Sequence, residues 1–555
     1  RDRLMSDLNI RVDGKEIKID EGKIRLSKLA KMLEDDYQGH ICMAKIKNRY
    51  RDLNYVLHTS EDVHLIDTRS EDGMRLYFRG LSLLLVMACR DVFDNCKVFI
   101  KHSIAGGLYC MLRMPKDLTD DDIEVLKAKM KEYIEKDYEI KCHYMPNDQA
   151  IDKFEEVRRF DKSNLLKYRD DDLTKVYECN GYFDYFYGYM FPSTSYIKDF
   201  DLVRMGEGLV ILGPDKGIKG RVAKFKPLPK LSDIYRESEQ WSRTLGIETL
   251  VDLNRIIENN EYGEMIRTVE SLHEKKIAEI ADMIVRRKSK LILIAAPSSS
   301  GKTSFAHRLS TQLRVNGLIP LPISLDDYFV NREDTPRDEN GDYDFESIDA
   351  IDIDQFNRDL NDLLEGKEIV KIKFDFMTGS RVYTDKKLKL EGDNPIILEG
   401  IHGLNPSLTK ALPDDLKFKI YLSVITQINL DDHNRIPTTD FRLIRRIVRD
   451  HQFRNSNAES TLEKWASVRR GEERNIFPYQ EEADVMFNSA SVYELSVLKP
   501  MAIKLLRKVD EDSCHYLDAL RLRKFLQYFN QIDDTGDIGP TSIIREFIGG
   551  SRIVD

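Results

Sequence analysis

The stretch Leu291-Ile-Leu-Ile-Ala-Ala-Pro-Ser-Ser-Ser-Gly-Lys-Thr-Ser304 decides how the chain is read. Its first four residues form a continuous apolar run, too short for an amphipathic helix and suited to a strand buried on both faces. Small residues follow, then Gly301-Lys302-Thr303, and Phe305 to Leu313 has helical spacing. In a strand, tight loop and helix, backbone N–H groups converge on one spot, where the helix dipole also favours negative charge. The pattern G-x-x-x-x-G-K-[ST] predicts a phosphate-binding loop over Pro297, Ser298, Ser299, Ser300, Gly301, Lys302, Thr303 and Ser304. Lys302 would reach phosphate oxygens and the Thr303 hydroxyl would bind Mg²⁺. The first glycine of the pattern falls on Ala296, where a methyl is costly only at positive φ. A Ser-rich turn before a helix is the plainer alternative, and the order of strand, Gly-Lys-Thr and helix argues against it.

Downstream, Leu318 to Phe329 reads as a strand ending in Asp326-Asp327. Carboxylates at the C-terminal edge of such a sheet either hold Mg²⁺ or take a proton from an attacking hydroxyl. A simple Asp-rich turn is the alternative. Asp342 to Asp352 precedes a helix over 354–364, and Lys371 to Arg381 gives a strand and loop. Asn394 to Leu404 is a second buried strand, ending in Glu399-Gly400, which supplies another carboxylate beside Mg²⁺. The helix Asp440 to Arg454 carries arginines at 442, 445, 446, 449 and 454, suited to clamping phosphates as a lid does, with a solvated basic face as the alternative for some.

These motifs, in this order (P-loop, S-x-D-x-[FY]-[FY], Y-x-F-x-x-x-D-A-x-D, [YF]-D-F, E-G-I and R-x-x-R-R-x-x-R-D), resemble the uridine kinases, close to phosphoribulokinase, over about residues 289–490. The resemblance implies ATP and Mg²⁺ as cofactors. It implies Asp326 as the base for a ribose 5′-hydroxyl, Lys302 as its catalytic partner, and Thr303 and Glu399 at the metal. Arg449 and Arg454 would serve phosphates and lid closure. Tyr328, Glu346, Phe374, Arg381 and Arg446 would face the substrate, Glu346 standing where the family has an Asp. The family's pyrimidine pocket uses Tyr and His in Y-D-F-x-x-H. Here those positions are Phe374 and Gly379, so altered or relaxed base choice is expected. A sugar-phosphate kinase is the runner-up. A GTPase would need N-K-x-D, which does not occur. A purely regulatory nucleotide-binding protein would not need Lys302, Thr303, Asp326 and Glu399 together. His402 reads as packing.

The front half resembles other proteins. Ile10 to Ile19 looks like a hairpin about Asp13-Gly14, and a helix over Ile24–Leu33 and strands at Ile41–Ile46, Val56–Leu57 and Val63–Ile66 follow. This β-grasp order is similar to the TGS domain of threonyl-tRNA synthetases. Tyr77 to Cys89 (helix), Val98 to Tyr109 (strand turn) and the capped helix from Leu118 to Met130 resemble the editing-type second domain of those synthetases. That family's H-x-x-x-H falls on Gly80 and Leu84, and its later Cys and His fall on Phe186 and Met190, so the resemblance implies a kept fold without metal or base chemistry. The aromatic run Tyr177 to Tyr189 reads as a core-packing strand pair rather than a base-stacking surface, since its neighbours Lys175, Glu178 and Asp184 do not make a basic frame. Helices fill Leu250 to Arg287, the last expected to dock the two halves together.

The fold class is therefore α/β and multidomain. Expected are a TGS-like β-grasp domain (1–70), an α+β synthetase-editing-like domain (71–235), a helical linker (236–288) and a P-loop kinase domain with a parallel sheet flanked by helices (289–555). At 555 residues the chain is too long for one core. A net charge of −10 argues against bulk binding of nucleic acid or anionic membrane, leaving only a local patch in the front half compatible with it. The chain opens Arg-Asp-Arg and has no apolar run of signal-peptide or membrane-span length. Seven scattered cysteines without C-x-x-C read as reduced thiols of a cytoplasmic protein. The expected partner is a nucleoside or related small hydroxyl substrate, and a homo-oligomer is compatible with the sequence.

Overall fold

The computed structural model describes residues 8–104, 106–338, 341, 343–375, 377–410 and 412–554. The opening Arg-Asp-Arg, Ala105, Asp342 and Phe376, each part of a stretch read above, lie outside the described residues.

Strand β1 (Leu8–Val12) alternates buried and exposed residues and turns into β2 (Lys15–Ile19) at Asp13-Gly14. Both turn residues are left-handed, φ 48° and 86°, as a two-residue hairpin with the sheet's twist requires. Then come β3 (Ile24–Arg25), α1 (Leu26–Met32), β4 (Ile41–Ile46), β5 (Arg49–Asp52), β6 (Val56–Leu57) and β7 (Asp62–Asp67). The sheet order is β2-β1-β7-β4-β5, with β1 parallel to β7. Strand β5 has no apolar alternation, so no pattern announces it; pairing with β4 makes it an edge strand.

Helix α2 (Glu71–Val92) starts six residues earlier than expected, because the Ser70 side chain accepts from the Gly73 N–H and Glu71 and Asp72 suit the positive helix end. Next are β8 (Lys97–Ile104), β9 (Gly107–Arg113) and α3 (Asp120–Lys136), the last opened by a Thr119–Asp122 capping box. They are followed by β10 (Ile140–Pro146), α4 (Asn147–Glu156), α5 (Phe160–Leu166), β11 (Leu173–Cys179), β12 (Tyr182–Asp184), β13 (Asp201–Met205) and β14 (Gly208–Leu212). Two antiparallel sheets result, β13-β14-β9-β8 and β10-β11-β12. The aromatic run forms the pair β11–β12 and then leaves the sheet at Tyr185. Gly80, Leu84, Phe186 and Met190 are all buried. A Cβ on Gly80 would lie 2.7 Å from Ile197 Cδ1, so that position is filled by packing.

Helices α6 (Pro229–Leu245), α7 (Leu250–Glu258) and α8 (Tyr262–Arg287) lead to β15 (Leu291–Ala295) and α9 (Lys302–Val315). The remaining elements are β16 (Leu321–Ser324), α10 (Ile353–Leu364), β17 (Glu368–Asp375), β18 (Ser380–Lys389), β19 (Ile396–Glu399), β20 (Lys417–Ser423), α11 (Thr438–Arg454), α12 (Ala458–Asn475), β21 (Val485–Asn488), α13 (Glu494–Leu506), α14 (Tyr516–Leu526) and α15 (Arg545–Ile548). The sheet runs β16-β19-β15-β20-β21 and is parallel throughout. All five residues of β15 are buried, as a strand covered on both faces demands. β17 and β18 form a separate hairpin.

Helix α8 lies along α9, where Glu274 accepts from Arg308 at 2.7 Å, and beside α6, where Lys276 meets Glu237 at 2.6 Å. Its Met265, Ile266 and Val269 share one apolar core with Phe154 and Leu165 of the front half. The halves also meet at a buried ionic cluster. Lys162 Nζ, fully buried, lies 2.7 Å from Asp431 Oδ1 and 3.3 Å from Asp184 Oδ1, and Asp184 Oδ2 is 2.6 Å from His433 Nδ1. Burial alone would raise the Asp184 carboxyl, but His433, Lys162 and Arg159 hold it well below the usual range. Around the cluster, Phe154, Leu165 and Tyr185 share one apolar core with Ile266, Phe525 and Tyr528. Removing one member of such a cluster leaves an uncompensated charge. Lys162→Met is therefore expected to lower the unfolding free energy by about 3 kcal/mol. Urea denaturation followed by fluorescence checks this; a loss below about 0.5 kcal/mol, the range of ordinary surface changes, contradicts it.

Candidate active site

The parallel sheet sets the site. Glu399, last residue of β19, pairs in register with Ile294 on one side and Ser324 on the other. The loop after β15 and the turn after β16 therefore flank it at the C-terminal edge of the sheet. Ala296 is not among the residues with positive φ, so its methyl is harmless; the left-handed positions are Ser299 (φ 61°) and Gly301 (φ 77°).

Two arginines of α11 shape the loop from outside. Arg442 Nη1 donates to the Ser298 carbonyl at 3.1 Å and Arg445 Nη1 to the Ser299 carbonyl at 3.2 Å. Both guanidinium groups are buried in two-pronged pairs, Arg442 on Glu472 and Arg445 on Glu494. They are thus neither phosphate clamps nor a solvated face, the two readings the sequence offered. With the carbonyls held outward, the N–H groups of Ser299, Ser300, Gly301, Lys302 and Thr303 have no acceptor among the described residues. The Ser299 and Ser300 hydroxyls are buried without partners. At the loop's ends, carboxylates have taken the free donors. Glu472 accepts from the Ser298 N–H at 3.0 Å, and Glu546 of α15 accepts from the Ser304 N–H and hydroxyl at 3.3 and 2.7 Å. The loop draws negative charge, as a helix N-terminus does.

Around it stand carboxylates in different environments. Asp326 is exposed on the turn after β16. Glu399 accepts from the Ser324 hydroxyl at 3.1 Å; burial pushes its carboxyl up to about 7 against the pull of Lys302, with Asp326 adding to the rise. Glu346 is likewise raised to about 7, first by burial, with Arg446 and Lys302 opposing and Glu472 and Asp326 reinforcing. Its carbonyl accepts from Asn475 at 2.7 Å, and a Cβ on Gly471 of α12 would lie 2.3 Å from the Glu346 Cβ. Arg446 donates to the Ser298 hydroxyl at 2.7 Å, which puts it on the loop rather than on an acceptor substrate. Asp450 gathers Arg446, Arg449 and Arg454 at 3.3, 3.1 and 3.6 Å.

Three residues expected at the substrate are turned into the fold. The buried Tyr328 donates to Asp359 at 2.8 Å, with its ring edge-on to Phe356. Phe374 is buried against Phe329, ring centroids 5.5 Å apart. Arg381 donates to Asp352 at 2.9 Å and to the Phe329 carbonyl at 3.2 Å, pinning the β17–β18 hairpin. His402 is buried, its imidazole pushed down to about 4 by that burial. Sequence reading missed Glu472, Glu494 and Glu546, which come from segments without a motif. Among the described residues no group of three or more His, Cys, Asp or Glu is placed to hold a metal ion. Glu399, Thr303 and Asp326 offer hard oxygens only, the donor set that suits Mg²⁺ arriving on phosphates.

A phosphate-avid loop on a parallel sheet, with lysine and carboxylates beside it, defines a P-loop kinase domain. Residues 291–496 match the family model described as "Phosphoribulokinase / Uridine kinase family", and the C-terminal region carries a domain of that family. Over its N-terminal region the chain is similar to threonine–tRNA ligases. It is 25% identical to that of Nitrosococcus oceani over 162 residues (29% of this chain, 25% of the ligase) and 21% identical to that of Wolbachia pipientis over 252 residues (45% and 38%). The chain thus spans about a quarter of the length of the first of these ligases. Among solved structures, a possible uridine kinase from Bacillus stearothermophilus is 20% identical, covering 39% of this chain and 98% of its own, with a TM-score of 0.27. No helix among the described residues is long and apolar enough to cross a membrane.

Two outcomes follow. Glu346 binds its proton more tightly folded, near 7, than its ordinary value of 4.5. The folded state holds more protons between those values, so stability falls as pH rises from about 4.5 to about 7. Glu346→Gln should flatten that part of a melting-temperature profile; an unchanged slope contradicts the environment described. Gly471→Ala should push Glu346 out of place, raising the acceptor KM or cutting kcat at least about tenfold, as misplacement at a reacting centre does, while calorimetric ATP affinity stays within about twofold.

Proposed function

We propose that the chain is an ATP- and Mg²⁺-dependent phosphotransferase that moves the γ-phosphate of ATP to a hydroxyl, the 5′-hydroxyl of a nucleoside being the reading we favour. The observation that carries this is the row of unpartnered loop N–H groups beside Lys302, facing Glu399 and the exposed Asp326. In this reading the loop N–H groups and Lys302 hold the β- and γ-phosphates, and Thr303 and Glu399 hold Mg²⁺ on them. The metal, when bound, neutralises charge developing on the transferred phosphoryl group. Burial raises the Glu399 carboxyl to about 7, and as a metal ligand it would act in its ionised form, which nearby positive charge favours. Asp326, exposed and free to meet an acceptor, takes the hydroxyl proton as the P–O bond forms. Glu346 binds ribose hydroxyls, and Arg446, Arg449 and Arg454 steady the phosphates.

A second reading, a kinase of a sugar-phosphate hydroxyl, has its own observation. The Gly379 position (φ 69°), where the family has a base-reading His, is filled by Arg332, whose atoms would lie 2.7–2.9 Å from a Cβ there. For the rest of the chain we propose the organisation 1–70, 71–235, 236–288 and 289–555, with a TGS-like unit and a synthetase-like unit without deacylase chemistry. The seven free cysteines support a reducing, cytoplasmic setting.

The test is ATP consumption across uridine, cytidine, purine nucleosides and sugar phosphates, run with wild type and Asp326→Ala. One acceptor should stand out, and Asp326→Ala should lower its kcat by about 10²–10⁴-fold, the usual worth of a general base, with ATP affinity little changed. Turnover that survives in Asp326→Ala removes the base assignment. Absence of any acceptor removes the kinase reading. A sugar phosphate preferred over every nucleoside selects the second reading.

A further inference from the structure

A cavity of about 840 Å³ lies between the front half and the kinase domain. None of the loop residues 297–304, Asp326, Glu346 or Glu399 lines it. Its walls come from β5, α2, the segment after β12, the segment before α11, α14 and, at Arg469 and Glu473, α12, whose Glu472 reaches the loop.

Its charge is out of keeping with the chain. The whole sequence has a net charge of −10, yet ten Arg and Lys side chains line this cavity against five Asp and Glu. All five acids are already engaged. Glu71 and Asp72 meet Arg75, Asp171 meets Arg169, Asp440 meets Arg521, and Glu473 meets Arg469. That leaves Arg49, Arg51, Arg79, Lys175, Arg435 and Lys524 with no carboxylate at ion-pair distance among the described residues. Three of these are half-buried. Arg79 donates only to the Tyr189 carbonyl, Lys175 Nζ lies 3.4 Å from the Gly188 carbonyl and 4.1 Å over the Tyr189 ring, and Arg435 makes no described hydrogen bond. Burial lowers Arg79 and Arg435 and pulls Lys175 down to about 8, with the charges of Arg79 and Lys524 adding to the last shift. A cluster of cations lining one cavity, with Asp52, Asp72 and Asp440 acting on them only from beyond ion-pair distance, is costly for the protein alone and is relieved by an anion.

We propose that this cavity is a second ligand site, for a small molecule carrying two or more phosphate charges and of nucleotide size. Orthophosphate would leave most of the volume and most of the cations unmet, and a cavity of about 840 Å³ is the size of a small molecule rather than of a macromolecular surface. Arg79 and Lys175 converge on the 187–189 turn, where Gly188 (φ 129°) leaves room that a Cβ would take from the Arg79 guanidinium. The carbonyls there hold the two cations on the cavity wall. The half-buried rings of Tyr187 and Tyr189 line the cavity, where a planar group can pack against them.

The experiment is titration calorimetry on the full chain with ATP, GTP, UDP and pyrophosphate. The proteins are wild type, Lys302→Ala, Arg79→Gln/Lys175→Gln and all three changes together. At least one probe should bind Lys302→Ala with a stoichiometry near one and lose at least tenfold in affinity when Arg79 and Lys175 are changed. Arg435→Gln, a single change on the segment before α11, should weaken the same probe at least threefold and serves if the double variant does not fold. Binding that vanishes with Lys302→Ala alone, or that ignores all three cavity cations, overturns the proposal. Failure of the kinase reading would look different: Lys302→Ala would then leave ATP binding and turnover as in wild type.

Discussion

A phosphate loop works only if its peptide units all face one way, and here that orientation is imposed from outside. Arg442 and Arg445 hold the Ser298 and Ser299 carbonyls, and each arginine is buried. A buried guanidinium must have its charge and donors met, so Glu472 on α12 and Glu494 on α13 are required as well. The loop geometry therefore depends on three helices being docked on one another. The start of α11 is tied further out, since Asp440 engages Arg521 of α14 and lies 3.7 Å from Arg75 of α2. A chain of charge pairs thus runs from the front half to the loop.

Carboxyl groups of one chemical kind are sorted by burial around this loop. Asp326 stands exposed, while burial raises the Glu346 and Glu399 carboxyls to about 7. Lys302 is felt by both glutamates and opposes that rise. Positive charge brought near Glu399 would favour its ionised form further.

The front half is not an appendage. It shares an apolar core with the helices behind the kinase sheet, and its junction buries Lys162 between Asp184 and Asp431. Gly80, Leu84, Phe186 and Met190 in its interior are all packed. The cations of the central cavity lie on the face that meets the kinase domain.

Much of this was legible in the order of residues. Apolar runs ending in Gly-Lys-Thr, Asp326 and Glu399 announce parallel strands with chemistry at their ends, β15 and β19 buried and β16 at the sheet edge, because strand and loop position follow from local pattern. The hairpin at Asp13-Gly14 and the capped helix after Thr119 are local in the same way. Other features are not local. Tyr328, Phe374 and Arg381 fit a motif that resembles a substrate pocket, yet their partners Asp359, Phe329 and Asp352 are set by how the hairpin packs. Arg442 and Arg445 look like Arg446 and Arg449 on a helix written out flat, and only tertiary packing turned the first pair inward. Glu472, Glu494 and Glu546 reach the loop from segments up to 242 residues away. Sequence by itself determined the sheet, the loop and the carboxylates at strand ends, since each depends on neighbours along the chain. Tertiary structure alone decided which charges are buried, which are paired and which face the cavity, since desolvation and ion pairing depend on neighbours in space.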